Sequence, residues 1–295
     1  MRALLALLAL LAATPALAAP EITAELDGTT LHLPLPSNWC AAYKGRAHEA
    51  TLLETMSRIL QPSEQLLGIG MDCDELKAFR DYGRQFTNCI VFAVVLKDGK
   101  PAHHADAARE AYLSDVAREA QKTKAGEASV LLNMRMGRRR VTPEVQKFGV
   151  IGRDASAVYI RSVVTVGWDN VATVDADTVA GGFALSASFV RPYVDERTTS
   201  SLLDQAKTEA HAMIAANPPP PPPPVHVAAP IPPPAPAPAA PPPPVHPPVD
   251  FDADPFGALV ARFGKEGATA IVAAGGILTL ALCSLMFIRS PQRRP

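Results

Sequence analysis

Val158–Val166 (VYIRSVVTV), Val171–Val179 (VATVDADTV) and Phe183–Tyr193 (FALSASFVRPY) follow one another with only a few residues between them. All three are rich in β-branched or aromatic residues, which suit a pleated, half-buried strand. In the first, Val158, Ile160, Val164 and Val166 share one face, and Tyr159, Arg161 and Thr165 share the other. In the third, Phe183, Leu185, Ala187 and Phe189 alternate inward. Gly181-Gly182 links the second run to the third, a junction that only a tight turn fits. Short connections between successive strands make an antiparallel meander. Val145–Gly152 supplies one more strand ahead of it.

Upstream of the meander, strands and helices interleave. Ile22–Leu26 and Thr30–Leu35 flank Asp27-Gly28, a hairpin signal. Ala47–Leu60 carries an apolar stripe of Leu52, Met56, Ile59 and Leu60, and Pro62 ends that helix. Gln65–Met71 reads as a short strand and Asp74–Tyr82 as a short helix. Asn88–Leu96 holds an unbroken apolar run, as a strand buried on both faces does. Ala105–Lys122 is a second long helix with Ala108, Tyr112, Val116 and Ala120 on its buried face. A last helix opens at Ser201, with Asp204 three residues on, and buries Leu202, Ala206, Ala210 and Met213 before ending at Asn217. The expected class is α+β: a mainly antiparallel sheet covered by helices, followed by a polyproline stalk and one C-terminal transmembrane helix.

That globular part is residues 19–217 of a 295-residue chain. Residues 1–18 have the form of a signal peptide: Met1-Arg2, an Ala/Leu run, then Ala16-Leu17-Ala18 as a cleavage signature. Of 30 prolines, 19 fall between Pro218 and Pro248. Proline lacks the N–H that helix and sheet require, so residues 218–249 are expected to form an extended stalk. Residues 250–266 form a juxtamembrane segment, with Phe256, Leu259, Val260 and Phe263 on one helical face. Gly267–Ile288 has no charged residue over 22 positions, about one hydrocarbon thickness as a helix. Residues 289–295, with Arg289, Arg293 and Arg294, are then the cytoplasmic tail. The implied location is the cytoplasmic (inner) membrane of a bacterium, single-pass, with the N-terminal domain in the periplasm. A C-terminal sorting signal that is processed off is the alternative for this segment.

A net charge of −1 and 6% aromatic residues argue against a nucleic-acid partner. The cysteines, Cys40, Cys73, Cys89 and Cys283, form no metal-binding spacing. In an oxidising compartment Cys40 and Cys73, both at element ends, are expected to pair. Cys89 then stays a buried thiol in the apolar run, and Cys73–Cys89 is the competing pair. His103, His104 and Asp106 are the weak candidates for a metal, and no cofactor is implied. Arg135, Arg138, Arg139 and Arg140 form a basic loop able to contact anionic lipid or an acidic partner, against the commoner role of a solvated charge run. Asp72, Asp74 and Glu75 suit a helix cap. Gly68-x-Gly70 lacks the rest of a dinucleotide turn, and Asp175-x-Asp177 reads as a solvent-facing strand edge. No nucleophile elbow, zinc-protease helix or phosphate loop occurs, and no catalytic residue is assigned.

Leu33-Pro34-Leu35-Pro36 ahead of Cys40, the step Asp72-Cys73-Asp74-Glu75-Leu76 and the helix closing in Asn217 resemble secreted or periplasmic proteobacterial proteins of uncharacterised function. The element order is also similar to the PsbP-like α/β/α sandwich. The resemblance implies a layered fold and carries over no catalytic residue. The functional class expected is a membrane-anchored extracytoplasmic domain with a non-enzymatic binding, sensing or envelope-assembly role. Its partners are the lipid bilayer and an envelope protein. The alternatives are a periplasmic enzyme whose site assembles only in the fold, and a passive envelope spacer.

Overall fold

The computed structural model describes residues 20–60, 63–84, 86–104, 108–126, 144–166 and 169–219. The expected signal peptide, the expected basic loop with Arg135 and Arg138–Arg140, Asp106, nearly all of the expected stalk, and residues 250–295 with the expected juxtamembrane segment, transmembrane helix and tail lie outside these residues. Among the described residues, no helix is long and apolar enough to cross a membrane.

The elements run β1 (Glu21–Leu26), β2 (Thr29–Pro34), β3 (Trp39–Ala41), α1 (Ala47–Ile59), β4 (Glu64–Asp72), α2 (Cys73–Tyr82), β5 (Cys89–Lys97), β6 (Lys100–Pro101), α3 (Arg109–Lys122), β7 (Glu144–Arg153), β8 (Ala157–Val166), β9 (Asp169–Ala180), β10 (Phe183–Pro192) and α4 (Glu196–Ala216). The main sheet is antiparallel, in the order β3-β4-β5-β10-β9-β8-β7, with β6 paired to the end of β5. β7 to β10 form the expected meander. β5 inserts beside β10, so β9 and β10 have strands on both sides. The α+β class is as expected. The short strands β3 and β6 carry too few residues to show a period and were not expected.

One face of the sheet is covered by α4 and the separate β1–β2 hairpin. Ala172, Ala176 and Ala180 of β9 lie against Ala206, Ala210 and Met213 of α4, all at 0% exposure. Small residues on both sides let the helix axis approach the sheet closely. The hairpin packs Leu31, Leu33 and Leu35 beside Phe92 and Phe189. Its Asp27-Gly28 turn has φ of 48° and 79°, the double positive φ that a type I′ turn needs. Gly68 and Gly70 admit the hairpin. A Cβ on Gly68 would stand 2.8 Å from Ile22, and one on Gly70 2.3 Å from Leu35. A register shift between Leu66 and Gly68 turns both glycines to this side and keeps Leu66, Ile69 and Met71 on the other.

α4 begins at Glu196, not at Ser201. Asp195 caps it by accepting from the Arg197 N–H at 2.8 Å, and an acidic cap one residue before the first turn outcompetes a serine inside it. Its far end is pinned by Asn217. Asn217 Oδ1 accepts from the His32 N–H at 2.8 Å, and Nδ2 donates to the carbonyls of His32 (2.5 Å) and Met213 (2.8 Å). The Asn217 carbonyl accepts from the Gly181 N–H at 3.1 Å. The chain therefore leaves the domain from a point fixed to the hairpin, the β9–β10 turn and α4.

The opposite face is covered by α1, α2 and α3. One apolar cluster joins Leu52, Leu53 and Met56 of α1 and Leu76 of α2 to Ile69, Met71, Val91, Val164, Val171 and Val190. A second joins Leu113, Val116, Ala117 and Ala120 of α3 to Val158 and Ile160. Cys40 and Cys73 form a disulfide with a Cα separation of 4.9 Å, tying β3 to the start of α2. Cys89 is buried and outside that bond. Asp72 caps α2, its carboxylate accepting from the N–H groups of Asp74 (2.9 Å) and Glu75 (3.2 Å).

Candidate functional site: a buried acid seam

Between the two apolar clusters on the helix-covered face runs a line of polar side chains. The registers place it. On β9, Val171, Thr173, Asp175 and Asp177 share one side. Across β8, Ser162 faces Thr173, Ile160 faces Asp175 and Val158 faces Asp177. Across β10, Ser188 faces Asp175 and Ser186 faces Asp177. The seam thus separates Val164 and Val171, which belong to the α1–α2 cluster, from Val158 and Ile160, which belong to the α3 cluster.

These groups are closed from solvent. Ser162 and Thr173 are 0% exposed, Asp175 1% and Asp177 7%. Both carboxyl oxygens of Asp175, and the hydroxyls of Ser162, Thr173 and Ser186, have no hydrogen-bond partner. A buried polar group left without a partner costs about 1–3 kcal/mol, and more if charged. Four such groups side by side in the middle of a sheet are a local departure from an otherwise well-packed core.

The reading of Asp175-x-Asp177 as a solvent-facing edge is therefore wrong. The edge strands are β3 and β7, and β9 is interior. The signal was present in the sequence. The run 171–179 is the middle member of a meander, so both its edges are paired and it is not an edge strand. Its alanines, Ala172 and Ala176, mark one face as a helix seat, and the aspartates then fall on the other.

Burial determines the protonation. It pushes the Asp177 carboxyl up to about 7, with the Ser186 hydroxyl opposing the rise. Asp175 is held well above the ordinary carboxylate range by burial first, with the charges of Asp177 and Glu64 adding and Ser188 opposing. Tyr112 on α3 has its phenol raised well above its ordinary value by burial, then by Asp177 and Glu64. The groups that reach the seam electrostatically thus come from β9, from β4 (Glu64), from β10 (Ser186, Ser188) and from α3 (Tyr112). Arg109, at the start of α3, donates its Nε–H to the Val179 carbonyl at 3.1 Å, fastening that helix to the end of β9. A second acid, Glu209 on α4, is 4% exposed on the other face and is pushed up to about 7 by burial.

His103 and His104 point apart. His103 Nε2 lies 2.9 Å from an Asp27 carboxylate oxygen, and its ring contacts Phe183. The His104 N–H donates to the Gly182 carbonyl at 2.9 Å, and its ring lies 4.7 Å from that of Tyr112. Burial first, then Lys97 and His103, lower the His104 pKa. Adjacent residues on an extended segment project to opposite sides, so the pair does not converge. Among the described residues, no three His, Cys, Asp or Glu side chains are arranged to hold a metal ion. Asp106 and the expected lipid- or partner-contacting residues Arg135 and Arg138–Arg140 lie outside the described residues.

No family model matches this chain, and no curated protein matches it.

Proposed function

We propose that the protein is a membrane-anchored extracytoplasmic sensor without enzymatic activity, and that it responds to the proton concentration of its compartment. The single observation that carries the sensing role is the burial of two carboxyls, Asp175 and Asp177, side by side at the centre of the sheet. Two acids placed there are stable when neutral. As pH rises through about 7, Asp177 ionises inside the closed sheet. The charge develops beside Val158, on which α3 packs. Ionisation therefore weakens the seat of α3. The anchored, periplasmic setting rests on the signal-like N terminus, the proline-rich residues 218–249 and the uncharged segment Gly267–Ile288.

Hydrogen exchange of α3, corrected for the intrinsic pH dependence of amide exchange, tests the sensing role. Protection over residues 109–122 is expected to fall between pH 5.5 and pH 8 in the wild type and to stay level in Asp177→Asn. Equal corrected protection at both values would overturn it. Protease added to spheroplasts tests the topology: the domain is expected to be digested, and full protection of residues 20–217 would refute export.

The convergence of Tyr112, Glu64 and Asp177 favours a second reading, an enzyme, because Asp177 titrates where a general base works. The closure of the seam and the neutral state of Tyr112 weigh against it.

A further inference from the structure

We propose that the surface where the start of α1 meets the end of α2 docks onto an anionic lipid headgroup layer. The surface is built around one buried charge. Glu49 is 0% exposed. Its Oε2 accepts from the Tyr43 N–H at 2.7 Å, and its Oε1 accepts from Arg80 Nε at 2.6 Å. This bond pair locks the turn before α1 against α2. The rings of His48 and Phe79 meet edge to face, 6.1 Å apart. Tyr82 lies three residues beyond Phe79 on the same helical face, and Arg84 stands 5.3 Å over the Tyr82 ring.

What faces outward is aromatic and basic. Tyr43 is 61% and Tyr82 74% exposed, two of the three large hydrophobic side chains left exposed among the described residues. Lys44, Arg46, His48 and Arg84 are exposed beside them. Glu49 is taken up by Arg80, and Lys44, Arg46 and Arg84 make no ion pair among the described residues. In the stretches 42–48 and 79–84 the single acidic residue is Asp81. Tyrosine places an apolar ring and a polar tip at the same depth, which suits the headgroup level of a bilayer. Cations beside it add attraction to anionic lipid of roughly fivefold each, about a hundredfold for three. The choice of a lipid surface over other anions rests on the membrane-anchored reading above. In the anchored reading, the 31 residues from 218 to 248 lie between the domain and the membrane-proximal segment, enough chain for this face to turn toward the bilayer.

The test uses the full chain in nanodiscs of phosphatidylcholine alone or with phosphatidylglycerol, read by hydrogen exchange of residues 42–48 and 79–84. Several-fold slower exchange is expected with phosphatidylglycerol only. It should disappear at high salt and in a Lys44→Ser, Arg46→Ser, Arg84→Ser variant. A Tyr43→Ser, Tyr82→Ser variant should weaken it at both salt levels. Equal exchange in the two lipids, or protection that survives the triple substitution, would overturn the proposal. If the chain does not enter nanodiscs, the anchored reading fails. The same protein added to phosphatidylglycerol vesicles then decides the surface alone. Sedimentation lost on adding salt and in the triple variant supports it, and sedimentation unaffected by either, or none, overturns it.

Discussion

Asp177→Asn is expected to stabilise the protein at pH 8 and leave it almost unchanged at pH 4. The carboxyl titrates at about 7 in the fold against an ordinary 3.8, because burial disfavours its charged form. The folded state therefore keeps a proton that the unfolded chain releases on passing pH 4. Stability is fully present below that point, falls as pH rises from about 4 to 7, and levels off above. The loss on ionisation is on the order of 4 kcal/mol. Asparagine has the shape of the neutral acid and cannot ionise, so it escapes the loss. At pH 8 the variant should unfold at a temperature roughly 8–16 °C higher, by the scaling for a domain of this size. Asp175 and Glu209 shift in the same direction and remain in the variant, so its profile should flatten without becoming level. Urea denaturation followed by tryptophan fluorescence at pH 4, 5, 6, 7 and 8 gives both curves. If Asp177→Asn destabilises equally at pH 4 and pH 8, or if the wild type gains stability between pH 5 and pH 8, the reasoning from burial is refuted.

Replacing Cys40 and Cys73 together by Ser should cost about 3–4 kcal/mol on the chain-entropy estimate for a sequence separation of 33, measured by urea denaturation without reductant. A loss under 1 kcal/mol would mean that β3 and α2 are held by packing alone. Asn217→Ala removes the bonds to both backbone groups of His32 and should cost about 2–3 kcal/mol, with faster exchange of β2 than of β8. Uniform loss of protection across both strands would show that Asn217 does not clamp the hairpin locally.

How far the sequence could be read depended on which residues carry a period. The meander was visible because VYIRSVVTV and FALSASFVRPY alternate over a full strand length and end at turn residues. The Asp27-Gly28 hairpin was visible because that dipeptide selects one turn type. The disulfide followed from the position of Cys40 and Cys73 at element ends and of Cys89 inside a strand. Trp39–Ala41 and Lys100–Pro101 are too short to show any pattern and are strands only through their partners. The start of α4 was misplaced because Ser201 looks like a cap locally, while Asp195 binds the N–H that decides it. The seam was misread for a different reason. Polar residues in a strand ordinarily mark its wet face, and Asp175 and Asp177 break that rule in an interior strand. Local sequence logic fails here at a place where the structure buries polar side chains without partners. The Glu49–Arg80 pair spans 31 positions, and no local pattern signals it.

The central claim, that the sheet encloses an acid titrating near neutrality, is tested most directly by carbon-13 NMR of the aspartate side-chain carboxyls from pH 4 to 9. One carboxyl resonance is expected to titrate at about 7 and to vanish in Asp177→Asn. A second, from Asp175, should titrate well above the ordinary carboxylate range. Aspartate carboxyls that all titrate below about 5, with Asp177→Asn removing one of them, would contradict the account.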